Sequence, residues 1–156
     1  MAVEAGSAAP DFTLPDTGRT PVTLSELWRD RPVLLVFYPF AFSHICEGEI
    51  CQVRDELAGY TDENVQVVGV SVDTPFALKA WADRQGLTFP LLSDPDGKVL
   101  EAYGAWGDKV MYGKKMKGII RSTVLIDGSG KVVQHWPKVS VKGHVDEVVE
   151  TVKQLR

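Results

Sequence analysis

The chain has 156 residues, 44% hydrophobic and 24% charged, a size and balance that suit one soluble domain, residues 1–156, with an adequate core. Its net charge of −4 argues against nucleic acid or an acidic membrane surface as the main partner. No apolar run approaches the roughly 20 residues a membrane helix needs, and the opening MAVEAGSAAPDF has neither a basic nor a long apolar stretch, so no secretory signal is expected and the cytosol is the default location.

In chain order, Asp11–Leu14 and Val22–Leu24 flank the turn-like Pro15-Asp-Thr-Gly18 and predict a small hairpin. Val33–Tyr38 is a continuous apolar run between Pro32 and Pro39, the pattern of a central strand buried on both faces. Ile45, Ile50, Val53, Leu57 and Tyr60 then recur at near-helical spacing, predicting a helix from about Ser43 to Ala58, ended by Gly59. Val65–Val72 is strongly β-prone. Thr74-Pro75 opens a second helix with a capping residue and a proline at the first helical position, and Gly86 closes it. Phe89–Leu92 predicts a short strand, and Asp94-Pro95 starts a helical piece carrying Val99, Leu100 and Tyr103. Lys109, Lys114, Lys115 and Lys117 after Trp106 read as a solvated basic loop; docking of an acidic reductase is the sharper reading of the same charges. Ile119–Ile126 and Lys131–Trp136 flank Asp127-Gly-Ser-Gly130, a clear hairpin signal. Val145, Val148, Val149, Val152 and Leu155 form one closing helical stripe. This order predicts an α/β fold, a mixed central sheet with helices on both faces and an N-terminal β-hairpin. Neither GxGxxG nor GxxxxGK[ST] occurs, so no phosphate-binding loop is expected.

Both cysteines lie in FSHICEGEIC, residues 42–51. A metal site, a structural disulfide and a redox centre are all compatible with that spacing, although a reducing cytosol disfavours a permanent staple. Ser43 is a good N-cap, which makes Cys46 the third helical residue. Unpaired helical N–H groups and the positive end of the helix dipole there favour the thiolate, which is the nucleophilic form. A position past the carboxyl end of a central strand is also where ligands bind in open α/β sheets.

Tyr38-Pro39-Phe-Ala-Phe-Ser43-His-Ile-Cys46 resembles the peroxiredoxin signature, Pro-x-x-x-Thr/Ser-x-x-Cys at the end of a strand, and the early APDFTL, FPLLSD and the IIRSTVLID stretch with Arg121 extend the resemblance over nearly the whole chain. The segment from Cys46 to Arg54 is similar to the AhpE-type branch, whereas Cys51, MYGKKMKGIIRST and VKGHVDEV are similar to the bacterioferritin-comigratory (PrxQ) branch. The resemblance implies a thioredoxin-like fold and a peroxidase for hydrogen peroxide or organic hydroperoxides, recycled by thioredoxin or a similar reductase, without a cofactor or metal. It implies Cys46 as the attacking (peroxidatic) cysteine, Cys51 as the resolving one, Arg121 as electrostatic support for thiolate and peroxide, Ser43 as a hydroxyl partner of peroxide, Pro39 as a shield and Glu49 as the group that orients the arginine. A monomer or weak homodimer is expected. Residues five apart on an intact helix have Cα atoms roughly 8–9 Å apart, while a disulfide needs less than about 7 Å. If Cys46 and Cys51 pair, the first helical turns must unwind, which Gly48 between them eases.

Plainer readings stand beside these. Cys51 can be a small buried residue, Arg121 an outward solvated one, Glu49 a first-turn acid favoured by the dipole, and Ser43 only a cap. Trp81, Phe40 and Phe42 read as aromatic core before pocket lining. Two rival functions are a thiol–disulfide oxidoreductase, against which the absent C-x-x-C speaks, and a copper- or zinc-binding chaperone using His44, Cys46 and Cys51, three ligands at an unusual spacing.

Overall fold

The structure is a computed structural model that describes residues 4–38, 50–51, 65–87, 89–111, 113–136, 147–148 and 150–151. Its centre is a five-stranded sheet in which β3 (Val33–Phe37) lies between β4 (Gln66–Ser71) and β8 (Ser122–Ile126), with β5 (Leu91–Ser93) and β9 (Val132–Trp136) at the edges. β3, β4 and β5 are parallel, as βαβ connections require. β8 runs antiparallel to both β3 and β9, so the sheet is mixed, as its sequence predicts. Every residue of β3 is buried, in keeping with its unbroken apolar run.

Alternation along the strands sorts the core into two layers. Val33, Leu35 and Phe37 face a layer with Leu24, Leu100 and Tyr103, while Leu34, Val36 and Tyr38 face one with Ile50, Trp81 and Val148. Helix α1 (Leu24–Asp30) contributes Leu24 to the first, and α2 (Pro75–Gln85) contributes Leu78 and Trp81 to the second. As expected, Thr74 caps α2, its hydroxyl accepting from the Ala77 N–H at 3.2 Å, and Gly86 ends it with φ +65°. The short α3 (Lys98–Ala102) buries Val99 and Leu100. Glu147, Val148, Glu150 and Thr151 are helical, with Val148 buried as its stripe predicts.

The predicted N-terminal hairpin is present as β1 (Thr13–Pro15) paired with β2 (Pro21–Thr23). Three other features differ from expectation. Helix α1 was not foreseen, because seven residues are too short for periodicity to register; its first turn is satisfied partly from afar, by the Asp11 carboxylate accepting from the Ser25 N–H at 2.8 Å. The basic stretch after Trp106 is not a loop but a ribbon, β6 (Trp106–Met111) antiparallel to β7 (Lys114–Ile119), turning at Gly113 with φ +78°. The single strand expected over Ile119–Ile126 is broken: the Ile120 N–H bonds to the Ala105 carbonyl at 2.7 Å, and the chain passes from the ribbon into the main sheet before β8 begins at Ser122.

Candidate active site

β3 ends at Phe37, which pairs with Val70 of β4 on one side and with Ser122 of β8 on the other. The Tyr38 N–H continues the ladder to the Val70 carbonyl at 3.3 Å. Tyr38 is fully buried, with its ring 5.3 Å from that of Trp81 at 42°. Gly69 makes room for it: a Cβ there would lie 3.1 Å from Tyr38 Cε1 and 2.7 Å from Leu91 Cδ2. The carboxyl end of β3 is thus a packed floor from which residues 39–49 depart.

Arg121 immediately precedes the Phe37–Ser122 pair and is half-buried, so the antiparallel placement of β8 brings it to the same end of the sheet. A wholly solvated surface position is excluded. Ser122, which the sequence reading did not single out, is fully buried, and its hydroxyl has no hydrogen-bond partner among the described residues. Pro39, Ser43, His44, Cys46 and Glu49 lie outside the described residues, as do Phe40 and Phe42. Trp81 is core, fully buried.

Cys51 is helical, half-buried and a free thiol. Its Sγ donates to Gln85 Oε1 at 3.1 Å. The preceding residue, Ile50, is fully buried in the same layer as Tyr38 and Trp81. Gln85 is a second residue that sequence reasoning missed. Its place one turn after Trp81 on α2 was readable, but not what that face meets. Among the described residues, no group of three His, Cys, Asp or Glu side chains could hold a metal ion, and no helix is long and apolar enough to cross a membrane.

The model of the AhpC/TSA family matches residues 5–135. A Mycobacterium tuberculosis protein that bears a peroxiredoxin name is 48% identical over 140 residues, 90% of this chain and 88% of its own. Peroxiredoxin Bcp of Escherichia coli is 37% identical over 152 residues, 97% of each chain. The bacterioferritin comigratory protein of Xanthomonas campestris, whose structures concern its alkyl peroxide reduction activity, superposes with a TM-score of 0.86 at 33% identity, covering 99% of this chain and 98% of that one. These relatives point to the bacterioferritin-comigratory side of the resemblance and favour neither rival function.

Proposed function

We propose how this chain, which belongs to the AhpC/TSA family and is a thiol-dependent peroxidase of the thioredoxin fold, divides its chemistry among its residues. The Cys46 thiolate attacks one peroxide oxygen; the O–O bond breaks, the sulfur becomes a sulfenic acid, and the other oxygen leaves as hydroxide or alkoxide and takes up a proton. Arg121 is a permanent positive charge for thiolate and leaving oxygen. The Ser43 hydroxyl and the Cys46 N–H bind the peroxide, Pro39 shields the sulfur from water, and Glu49 orients Arg121. The Cys51 thiol then resolves the sulfenic acid to a disulfide, which a thioredoxin-like dithiol protein reduces. Organic hydroperoxides are accepted alongside hydrogen peroxide, in line with the alkyl peroxide reduction activity of the Xanthomonas campestris protein. The chain acts as a single domain, as a monomer or weak homodimer in the cytosol.

The observation that carries the assignment of Arg121 is the pairing of Phe37 with Ser122. It sets the backbone of the arginine beside the end of β3, the strand after which the chain runs on towards Cys46, and this supports Arg121 as the cation of the site. The test is peroxide-dependent oxidation of reduced thioredoxin, with stopped-flow tryptophan fluorescence for the first step. Cys46→Ser is expected to lose essentially all turnover with circular dichroism unchanged, since a serine hydroxyl stays protonated at neutral pH. Arg121→Ala is expected to slow sulfenic acid formation by roughly two to three orders of magnitude. A tenth of the activity surviving in Cys46→Ser, or an Arg121→Ala rate within about twofold of wild type, removes the corresponding assignment.

A further inference from the structure

The thiol of Cys51 is not simply parked in a helix. Two neighbouring contacts tie it to α2: Ile50 packs in the layer that holds Trp81, and Cys51 donates to Gln85. Trp81 and Gln85 are four residues apart, so they lie on one face of α2. That face is rigidly held, because Trp81 is fully buried and stacked obliquely on Tyr38. Gln85 is the last residue of α2, and the Gly86 cap fixes the helix end with its left-handed backbone and the Leu87 N–H bonded to the Ala82 carbonyl at 3.0 Å. The acceptor therefore extends from a helix end whose backbone is fixed.

On the reading of Cys51 as the resolving thiol, we infer that Gln85 is a positioning residue that latches Cys51 in the reduced state and sets the pace of disulfide formation. Resolution joins the two sulfurs, breaks the S–O bond of the sulfenic acid and releases its hydroxyl as water with the Cys51 proton. The attacking form of Cys51 is the thiolate, which has no S–H to donate, so the Gln85 bond is lost on the way to the disulfide. The latch stabilises the dithiol but not the disulfide, so it acts on rate and redox equilibrium together. It also lengthens the life of the sulfenic acid, the form that excess peroxide carries on to sulfinic acid.

The experiment compares wild type, Gln85→Leu, which removes the acceptor, and Gln85→Glu, which offers a stronger charged one. Reduced protein is mixed with one equivalent of hydrogen peroxide and quenched at intervals; Cys46–Cys51 disulfide is counted by peptide mapping, and the midpoint potential is read in glutathione buffers. Gln85→Leu is expected to form the disulfide about fivefold faster, the scale of one net hydrogen bond. Its potential is expected to be about 20 mV more negative, the same factor converted for a two-electron couple. Gln85→Glu is expected to form the disulfide more slowly than wild type, and sulfenic acid formation is expected to keep its rate in both variants, because the contact lies on the other thiol. A merely structural glutamine would not move the two variants in opposite directions. Disulfide formation in wild type with both variants unchanged in rate and potential overturns the latch alone. No Cys46–Cys51 disulfide in wild type overturns the reading of Cys51, and the latch with it.

Discussion

Gly130 shows how much a single position can carry. It closes the turn between β8 and β9 with φ +85°, a conformation that a side chain resists. A Cβ there would lie 2.7 Å from Cζ2 and 2.8 Å from Cε2 of Trp28 on α1. Gly130→Ala therefore meets backbone strain and a ring that is packed against the core. The variant is expected to lose about 2 kcal/mol or more, read as a lower urea midpoint with unchanged slope. A loss below about 0.5 kcal/mol, the range of ordinary surface changes, would mean that Trp28 moves aside freely. The turn glycine was legible from Asp127-Gly-Ser-Gly130. Its second duty, as the surface on which Trp28 rests, was not, because Trp28 lies about a hundred residues earlier in the chain. Tyr103 repeats the lesson: it was read as part of a helical stripe, but its hydroxyl donates to the Pro10 carbonyl at 2.6 Å and pins the N-terminal segment to the core.

Among the elements, α3 depends on one buried carboxylate. Asp94 is only 3% exposed, and its Oδ2 accepts from the Leu100 N–H at 3.0 Å, with further bonds from Val99 and Lys98. Burial, seconded by the nearby Asp96 charge, disfavours ionisation more than these N–H groups favour it, so its pKa stands above the ordinary 3.8. The folded protein then holds this proton to higher pH than the unfolded chain does. Asp94 contributes its full stability below pH 3.8, and part of it is lost as pH rises through the folded value. Asp127 runs the other way. Burial opposes its charge, but bonds from the Ser129 hydroxyl and the Lys131 and Ser129 N–H groups, with the Lys131 charge, hold its pKa below the ordinary value. Its contribution is present above pH 3.8 and is lost as pH falls through the lowered value. Asp94→Ala is expected to cost about 1 kcal/mol, the scale of a lost cap. Asp94→Asn keeps an acceptor without a charge and is expected to gain on wild type as pH is raised from about 3.8 to 7. Parallel thermal melts of wild type and Asp94→Asn across that range are the check; a constant difference in stability would remove the ionisation cost at this site.

For the whole molecule, disulfide formation is a conflict between two sets of interactions. The proposed Cys46–Cys51 bond needs its Cα atoms closer than an intact helix allows, while Ile50 and the Cys51–Gln85 bond tie that helix to α2. Oxidation by one equivalent of peroxide is expected to raise backbone amide exchange over residues 43–54 while β3, β4 and β8 stay protected, because their ladders lie wholly within the buried sheet. Hydrogen exchange read by mass spectrometry on reduced and oxidised protein tests this. Equal exchange in the two forms, with the disulfide verified by mapping, would mean that the bond forms without unwinding.

Local chemistry made much of this protein readable from its residues alone. The unbroken Val33–Tyr38 run announced a central strand, Thr74-Pro75 and Gly86 announced the ends of α2, and Asp127–Gly130 announced the β8–β9 turn, because each signal acts over a few residues. The proposed site was nominated for the same reason: Pro39, Ser43, Cys46, Cys51 and Arg121 stand in recognisable local patterns. Tertiary structure decided what those signals could not reach. It turned a lysine-rich stretch into the β6–β7 ribbon, since backbone pairing can outweigh weak β propensity. It formed α1 with help from Asp11, a residue of another element. It set Arg121 beside the end of β3 through an antiparallel neighbour some 80 positions away in sequence, and it gave the Cys51 thiol an acceptor on α2. Each of these is a contact between segments distant in the chain, and such contacts are chosen by the packing of the whole core rather than by any window of sequence.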